Sequence, residues 1–261
     1  MTLVKHELRQ GKISFLIWAA SIGFLLAICI FLFPEMKGQM DSVSDVFASM
    51  GSFTAAFGMD RLNFGTLIGF YAVECGNILG LGGAFFASLC AVGILSKEEK
   101  DKTAEFLLTH PVSRVRIITE KLIAVVIQIT AMNVILYALA VGSTAAVGEE
   151  IPWKEISLMH LAYYLLQLEL AGICFGISAF LRKGGAGVGL GIATMMYFLN
   201  LIANIAEVAE FLKYITPFGY CEGADIVLNG KLDASLVAIG AVIGIGGIIL
   251  AYLKYTRKDI R

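Results

Sequence analysis

The sequence predicts an all-α membrane protein with six transmembrane helices, on three observations. Of its 261 residues, 58% are hydrophobic and 16% charged, with a mean hydropathy of +0.80, more apolar and less charged than a soluble domain. The apolar residues are gathered into six blocks, roughly 13–33, 74–95, 122–147, 158–181, 185–206 and 235–253, each near the ~20 residues that cross a hydrocarbon core. Charge falls in the segments between them, apart from Glu74 and Glu169. Backbone in lipid must satisfy its own hydrogen bonds, so such blocks are helices; the short alternating strands of a barrel are absent from the sequence.

Orientation follows from Lys and Arg. With the N-terminus inside, the inner segments hold 15 of the 20, leaving Lys37, Arg61, Lys154, Lys213 and Lys231 outside. The positive-inside rule then puts both termini in the cytoplasm. Residues 1–12 set Leu3, Val4 and Leu8 apart from Lys5, Arg9 and Lys12, which suits an amphipathic helix on the inner membrane surface; a frayed basic tail is the alternative. The run from Ile13 to Phe33 exceeds a signal h-region, and FPEMKGQM offers no small-x-small cleavage site, so it reads as an uncleaved first span.

The outer loop from Pro34 to about Tyr71 spaces Met40, Val43, Phe47, Met50, Phe53 and Phe57 as short helices packed on the span ends would. Glu74 falls at the outer end of the second span. Residues 96–121 form a charged block between two stretches almost free of charge. Ser96 and Glu99 have capping-box spacing, though span two can equally run through them. Ala104, Leu107 and Leu108 share a face beside Phe106, Pro111 ends that helix, and Ser113 can cap a second one that leads into span three. A solvated loop rarely places Phe106, Leu107 and Leu108 together, so this face needs a covering surface, from bilayer or partner.

Span four carries Gln167 and, near its middle, Glu169. An ionised carboxylate at that depth costs roughly 2.5–3.5 kcal/mol on insertion scales. Either Glu169 lies on a substrate path or it bonds a polar residue such as Gln128, Asn133, Asn200 or Asn204. Between spans five and six, Val208, Phe211, Leu212 and Ile215 recur at helical spacing with Glu207, Glu210 and Lys213 off the stripe, an outer amphipathic helix stopped by Pro217. Small-xxx-small pairs at Gly76/Gly80, Gly172/Gly176, Gly185/Gly189, Gly187/Gly191 and Gly240/Gly244 let helices approach closely, within the chain or between subunits.

Function is bounded by what is missing. The five cysteines show no metal spacing; Cys75 and Cys221, both near the outer side, are two free thiols or one pair. No HExxH or GxSxG motif occurs, and His6, His110 and His160 lie in different segments. Gly11-Lys12 and Gly230-Lys231 lack the Ser or Thr of a P-loop, so ATP, if used, binds another chain. A net charge of -1 suggests no nucleic-acid partner.

The run EEKDKTAEFLLTHPVSRVRIITEKLIA resembles the segment before span three in permease subunits of type-2 ATP-binding-cassette (ABC) transporters. Glu98, Glu99, Thr103, Glu105, Leu107, Leu108, Pro111, Ser113, Arg114 and Lys121 fit that pattern; Lys102 stands where glycine commonly precedes the Thr. The likeness spans essentially the whole of residues 1–261 as a single transmembrane domain. It implies a cytoplasmic coupling helix docked on a separate ATPase, with Phe106, Leu107 and Leu108 in the groove and Glu105, Arg114 and Arg116 at its rim. Two ATPases carrying ATP and Mg, and a second permease copy or close paralogue, would complete the unit. No cofactor is then expected on this chain, which is not itself an enzyme. The expected function is export of an amphipathic peptide, antibiotic or lipid-like compound across a bacterial or archaeal plasma membrane. Alternatives are sodium extrusion, a non-transporting scaffold or an immunity protein.

Overall fold

A computed structural model describes residues 2–38, 50–100, 112–182 and 185–258. Six helices in it are long and apolar enough to cross a membrane: α1 (Thr2–Lys37), α2 (Leu67–Val92), α3 (Arg114–Val147), α4 (Trp153–Ser178), α5 (Ala186–Ile205) and α6 (Ala234–Arg257). The described residues contain no strand. Each helix overlaps one apolar block of the sequence. Thr2 and Lys258, the first and last described residues, lie at one end of the bundle, termed basal; the other end is distal.

The middle of the bundle belongs to α2 and α4. About two-thirds of the most apolar stretch of α4 is buried, against 17% for α6. α1 lies along α3, α6 along α4, and α5 against α2. The buried side chains Ile22, Leu26 and Ile30 of α1, Ile129, Met132 and Leu136 of α3, and Leu166, Leu170 and Phe175 of α4 form one core. The outward faces of α1, α3, α5 and α6 carry exposed Leu, Ile, Val and Phe, as expected of helices whose outer solvent is lipid.

Glycine sets the α4–α6 distance. A Cβ at Gly172 would stand 2.5 Å from the Gly244 carbonyl oxygen, and one at Gly176 2.6 Å from that of Gly247. The two backbones therefore touch, which any side chain would prevent. In α2 two short π-helical turns, Tyr71–Cys75 and Ile78–Gly82, interrupt the α-helix; Gly76 between them admits the Tyr163 ring of α4, whose hydroxyl lies 2.7 Å from where a Cβ would be.

Three expectations change. Residues 2–12 are not a separate surface helix: α1 runs unbroken from Thr2 to Lys37. Nothing in the segment stops a helix, and its first turns are held against α3, with Val4 and Glu7 buried while Lys5, Arg9 and Lys12 are exposed. Span two starts at Leu67, capped by Thr66, whose hydroxyl accepts from the Gly69 amide at 3.2 Å. Glu74 thus sits seven residues inside the helix, roughly 10 Å from its end. The outer segment Glu207–Tyr214 is a 3-10 helix, whose threefold repeat groups Val208, Phe211 and Tyr214, all exposed, the first by 93%.

At the distal end the chain after α5 turns back into the bundle. Pro217–Tyr220 is buried, the Thr216 hydroxyl donates to the Met196 carbonyl at 2.8 Å, and the Tyr163 hydroxyl donates to that of Cys221 at 3.3 Å. A short helix, Gly223–Asn229, then leads to α6, which Asp233 caps through the amides of Ser235 and Leu236. Cys75 and Cys221 are both buried free thiols. Of the expected short outer-loop helices, Ser52–Ala56 and Met59–Arg61 are present; Met40, Val43 and Phe47 lie outside the described residues.

Candidate functional site

The charged block 96–121 leaves α2 and returns into α3 at the basal end. Thr103, Glu105, Phe106, Leu107, Leu108 and Pro111 lie outside the described residues. What the structure describes is the frame from which that stretch departs and to which it returns.

Lys121, about two turns into α3, is fully buried. Its ammonium has three protons to donate and meets three acceptors: Glu7 Oε1 at 2.9 Å, Glu98 Oε1 at 2.5 Å and the Ile94 carbonyl at 2.8 Å. The other oxygen of Glu7 takes Lys97, which also donates to Gln10 at 2.6 Å. Two carboxylates and two ammoniums thus cancel, with Lys121 and Glu7 buried and Lys97 reaching the surface. Burying such charges is tolerable only when each is paired and hydrogen-bonded.

A second group closes the same end. Glu99 pairs with Lys258 at 2.6 Å, and Lys258 donates to the Leu181 carbonyl at 2.9 Å. Arg114 donates to the carbonyls of Tyr255, Thr256 and Lys258 at 3.3, 3.3 and 2.5 Å. A guanidinium there satisfies carbonyls that the last turn of α6 leaves without helical partners. Arg116 pairs with Glu120 at 2.9 Å, and Glu120 accepts from the amides of Leu3 and Val4, the first turn of α1. Ser113 caps α3 through the Arg116 amide. Ser96 and Glu99 do not act as a capping box: the buried Ser96 hydroxyl donates back to the Gly93 carbonyl, and Glu99 is drawn to Lys258.

Of the block's described residues, the frame therefore brings together Glu98, Glu99, Ser113, Arg114 and Arg116. It also uses Glu7, Lys97, Glu120, Lys121 and Lys258, which the sequence does not single out as site residues, apart from Lys121 as part of the motif. A signal existed in Lys121, a lysine seven residues into a span-forming helix, because a charge there requires partners.

Gln167 and Glu169 do not share a site. Successive helical residues turn by about 100°, and the two side chains leave α4 on different sides. Gln167 accepts from Asn133 of α3 at 2.8 Å, and its amide stands where a side chain at Gly83 of α2 would be. Glu169 faces α6: a Cβ at Gly240 would fall 2.1 Å from its Oε2. Its partner is none of the four amides considered from sequence but the Tyr220 hydroxyl, 3.1 Å away on the returning distal segment. Among the described residues no group of three or more His, Cys, Asp or Glu could hold a metal ion.

The fold and site define a multi-pass helical membrane protein with a basal ion-paired frame and, at mid-bundle, the carboxylate of Glu169 buried on α4. Residues 1–260 match the family described as ABC-2 family transporter protein, and the chain belongs to that family. It is a membrane permease of an ABC transporter, the component that does not itself catalyse hydrolysis, and membership implies an ABC ATPase as partner. An uncharacterized protein of Bacillus subtilis (strain 168), YhcI, is 25% identical over 216 residues, which cover 73% of this chain and 68% of that one.

Proposed function

We propose that this permease works as an exporter subunit in the plasma membrane of a bacterium or archaeon, with its basal end cytoplasmic and residues 96–121 docked on a separate ATPase that carries ATP and Mg. The observation that carries this reading is the frame. Both ends of the block are bonded to α1, α3 and α6 through buried or half-buried charges, so a force applied at 101–111 reaches three spans at once. Coupling needs such a shared element, biased from both sides. Glu98, Glu99, Arg114 and Arg116 then hold the lever, while Glu105, Phe106, Leu107 and Leu108, with Thr103, Pro111 and Ser113 shaping the turn, form the docking surface.

The unit is two permeases and two ATPases. In support, α5 exposes Val188, Gly191, Met195, Phe198, Ile202 and Ile205, alternating three and four residues apart as a helix seam does, and a Cβ at Gly187 or Gly191 would meet no other part of the chain within 4 Å. The cargo is amphipathic or lipid-like. Of the two α4 residues that the sequence offers for a pathway, Gln167 is engaged by Asn133, so the role falls to Glu169.

Co-purification with the ATPase encoded beside this chain tests the reading. Leu107→Asp is expected to lose the ATPase while keeping a wild-type melting profile. Retention at wild-type yield would refute the docking surface.

A further inference from the structure

Glu169 is 5% exposed, and its Oε1 has no hydrogen-bond partner among the described residues. It lines a cleft of about 280 Å³ between α3, α4 and α6. Of the fourteen residues in the wall, only Glu169 and Tyr220 have polar side chains; the rest are hydrocarbon or glycine, among them Leu122, Val126, Leu168, Ala241 and Ile245. Gly240 leaves the carboxylate room that any other residue would take. Val126 and Ile245, at the rim, are 37% and 56% exposed on the apolar outer surface. The cleft therefore opens to the bilayer.

We infer that this cleft binds a single-chain amphiphile with a primary amine, its ammonium on Glu169 and its alkyl chain along α6. An ammonium beside Glu169 favours the ionised carboxylate, which is acceptor-only, so that occupant supplies the donors. An ammonium brings three and cancels the buried charge; an alcohol brings one and leaves the charge, and a fatty acid sets two carboxylates against each other. Size excludes more than one chain. The volume sits at the lower bound of drug-sized pockets, about 300–1,000 Å³, while the wall runs from Val237 to Ile248, roughly 16 Å along α6.

Direction is also set. Tyr220 belongs to this wall and to that of a distal cleft of about 910 Å³, lined by Arg61, Lys213, Asp225, Lys231 and Asp233. The amine end thus faces the polar cleft across one phenol ring, and the chain points to the basal end. The inference deepens the proposed export reading by naming a substrate class. It rests on that reading for transport but not for binding, so binding is tested on this chain without the ATPase.

The experiment uses the full chain in lipid nanodiscs with a diazirine-bearing dodecylamine, alongside the matched alcohol and fatty acid. Labelling is expected on peptides of α4 and α6, competed by plain dodecylamine, with the alcohol at least tenfold weaker and the fatty acid silent. Glu169→Gln should weaken the amine at least tenfold, and Ala241→Phe, which fills the cleft without touching the carboxyl, should abolish labelling at an unchanged melting temperature. Equal labelling by the alcohol, labelling elsewhere, or no loss in these variants overturns the site. If Glu169→Gln does not fold, Ala241→Phe alone decides. A positive result with no amine-stimulated ATP hydrolysis would leave the site standing and count against the export reading.

Discussion

At the basal end, Glu7 and Lys121 are satisfied within the chain: each oxygen of Glu7 takes an ammonium, and all three protons of Lys121 find acceptors. At mid-bundle, Glu169 stands among hydrocarbon with one phenol for company. The first arrangement spends its charges within the chain, and the result is stiffness where helices must move together. The second leaves an acceptor open, and the result is capacity for something from outside. Burial alone does not separate them, since Glu7 and Glu169 are both 5% exposed; the number of partners does.

The sharpest way to break this contrast is to remove the cation at the centre of the frame. Lys121→Met leaves Glu7 and Glu98 facing each other without their shared cation, and stranding a buried partner of an ion pair costs about 3–5 kcal/mol. At about 2–4 °C per kcal/mol for a chain of this size, a fall of roughly 10 °C in the melting temperature is expected. Combining it with Glu7→Gln and Glu98→Gln should restore most of that, because the buried positions are then neutral and the one charge left, Lys97, is about a quarter exposed to water. A single variant that melts within a degree of the parent would show that the frame does not hold the basal end. Glu169→Gln, by contrast, is expected to melt near the parent.

A smaller effect separates buried from outward glycines. Gly172→Val would drive a side chain into the α6 backbone, and overpacking of this kind costs about 1–3 kcal/mol. Gly191→Leu meets no neighbour, so the monomer should keep its melting temperature to within roughly 0.5 kcal/mol of stability. If α5 is the seam between copies, the same substitution shifts the dimer–monomer balance on a sizing column. Equal destabilisation by both variants would mean that the outward face of α5 is packed within one chain.

How much of this was legible in sequence depends on where the partners of each residue come from. The six spans and the helix-capping role of Ser113 follow from local pattern, and local pattern sufficed. Residues 2–12 read as a surface helix of their own, whereas they continue into α1; what holds them there is Glu7 finding Lys97 and Lys121, some 90 and 114 positions away. The Glu169 partner was misread for a related reason. Amides in other spans were the natural candidates, whereas Tyr220 reaches it only because the segment after α5 folds back into the bundle, which no periodicity announces. Gln167 and Glu169, two apart in sequence, looked like one site and face different helices. The α-helical stripe expected at 208–215 failed because a 3-10 helix repeats every three residues.

The smallest expected effect tests a carboxyl intermediate between the two regions compared. Glu222, at the distal end, accepts from Asn204 at 2.7 Å and lies near Arg61, which is itself bonded to Asp225 at 2.6 Å. Burial raises its pKa above the ordinary value of 4.5, outweighing the Asn204 hydrogen bond and the Arg61 charge. Folding thus favours the protonated form, and the contribution of this group to stability is fully present below the ordinary value and declines as pH rises through the raised one. Glu222→Gln mimics the protonated acid at every pH. The two proteins should melt together near pH 4, and the variant should pull ahead as pH climbs past 5, with the gap levelling once the carboxyl is fully ionised. A gap of constant size across that range would mean that folding leaves this carboxyl unshifted, and a variant that falls behind as pH rises would mean that Glu222 is satisfied as an ion, as Glu7 of the basal frame is.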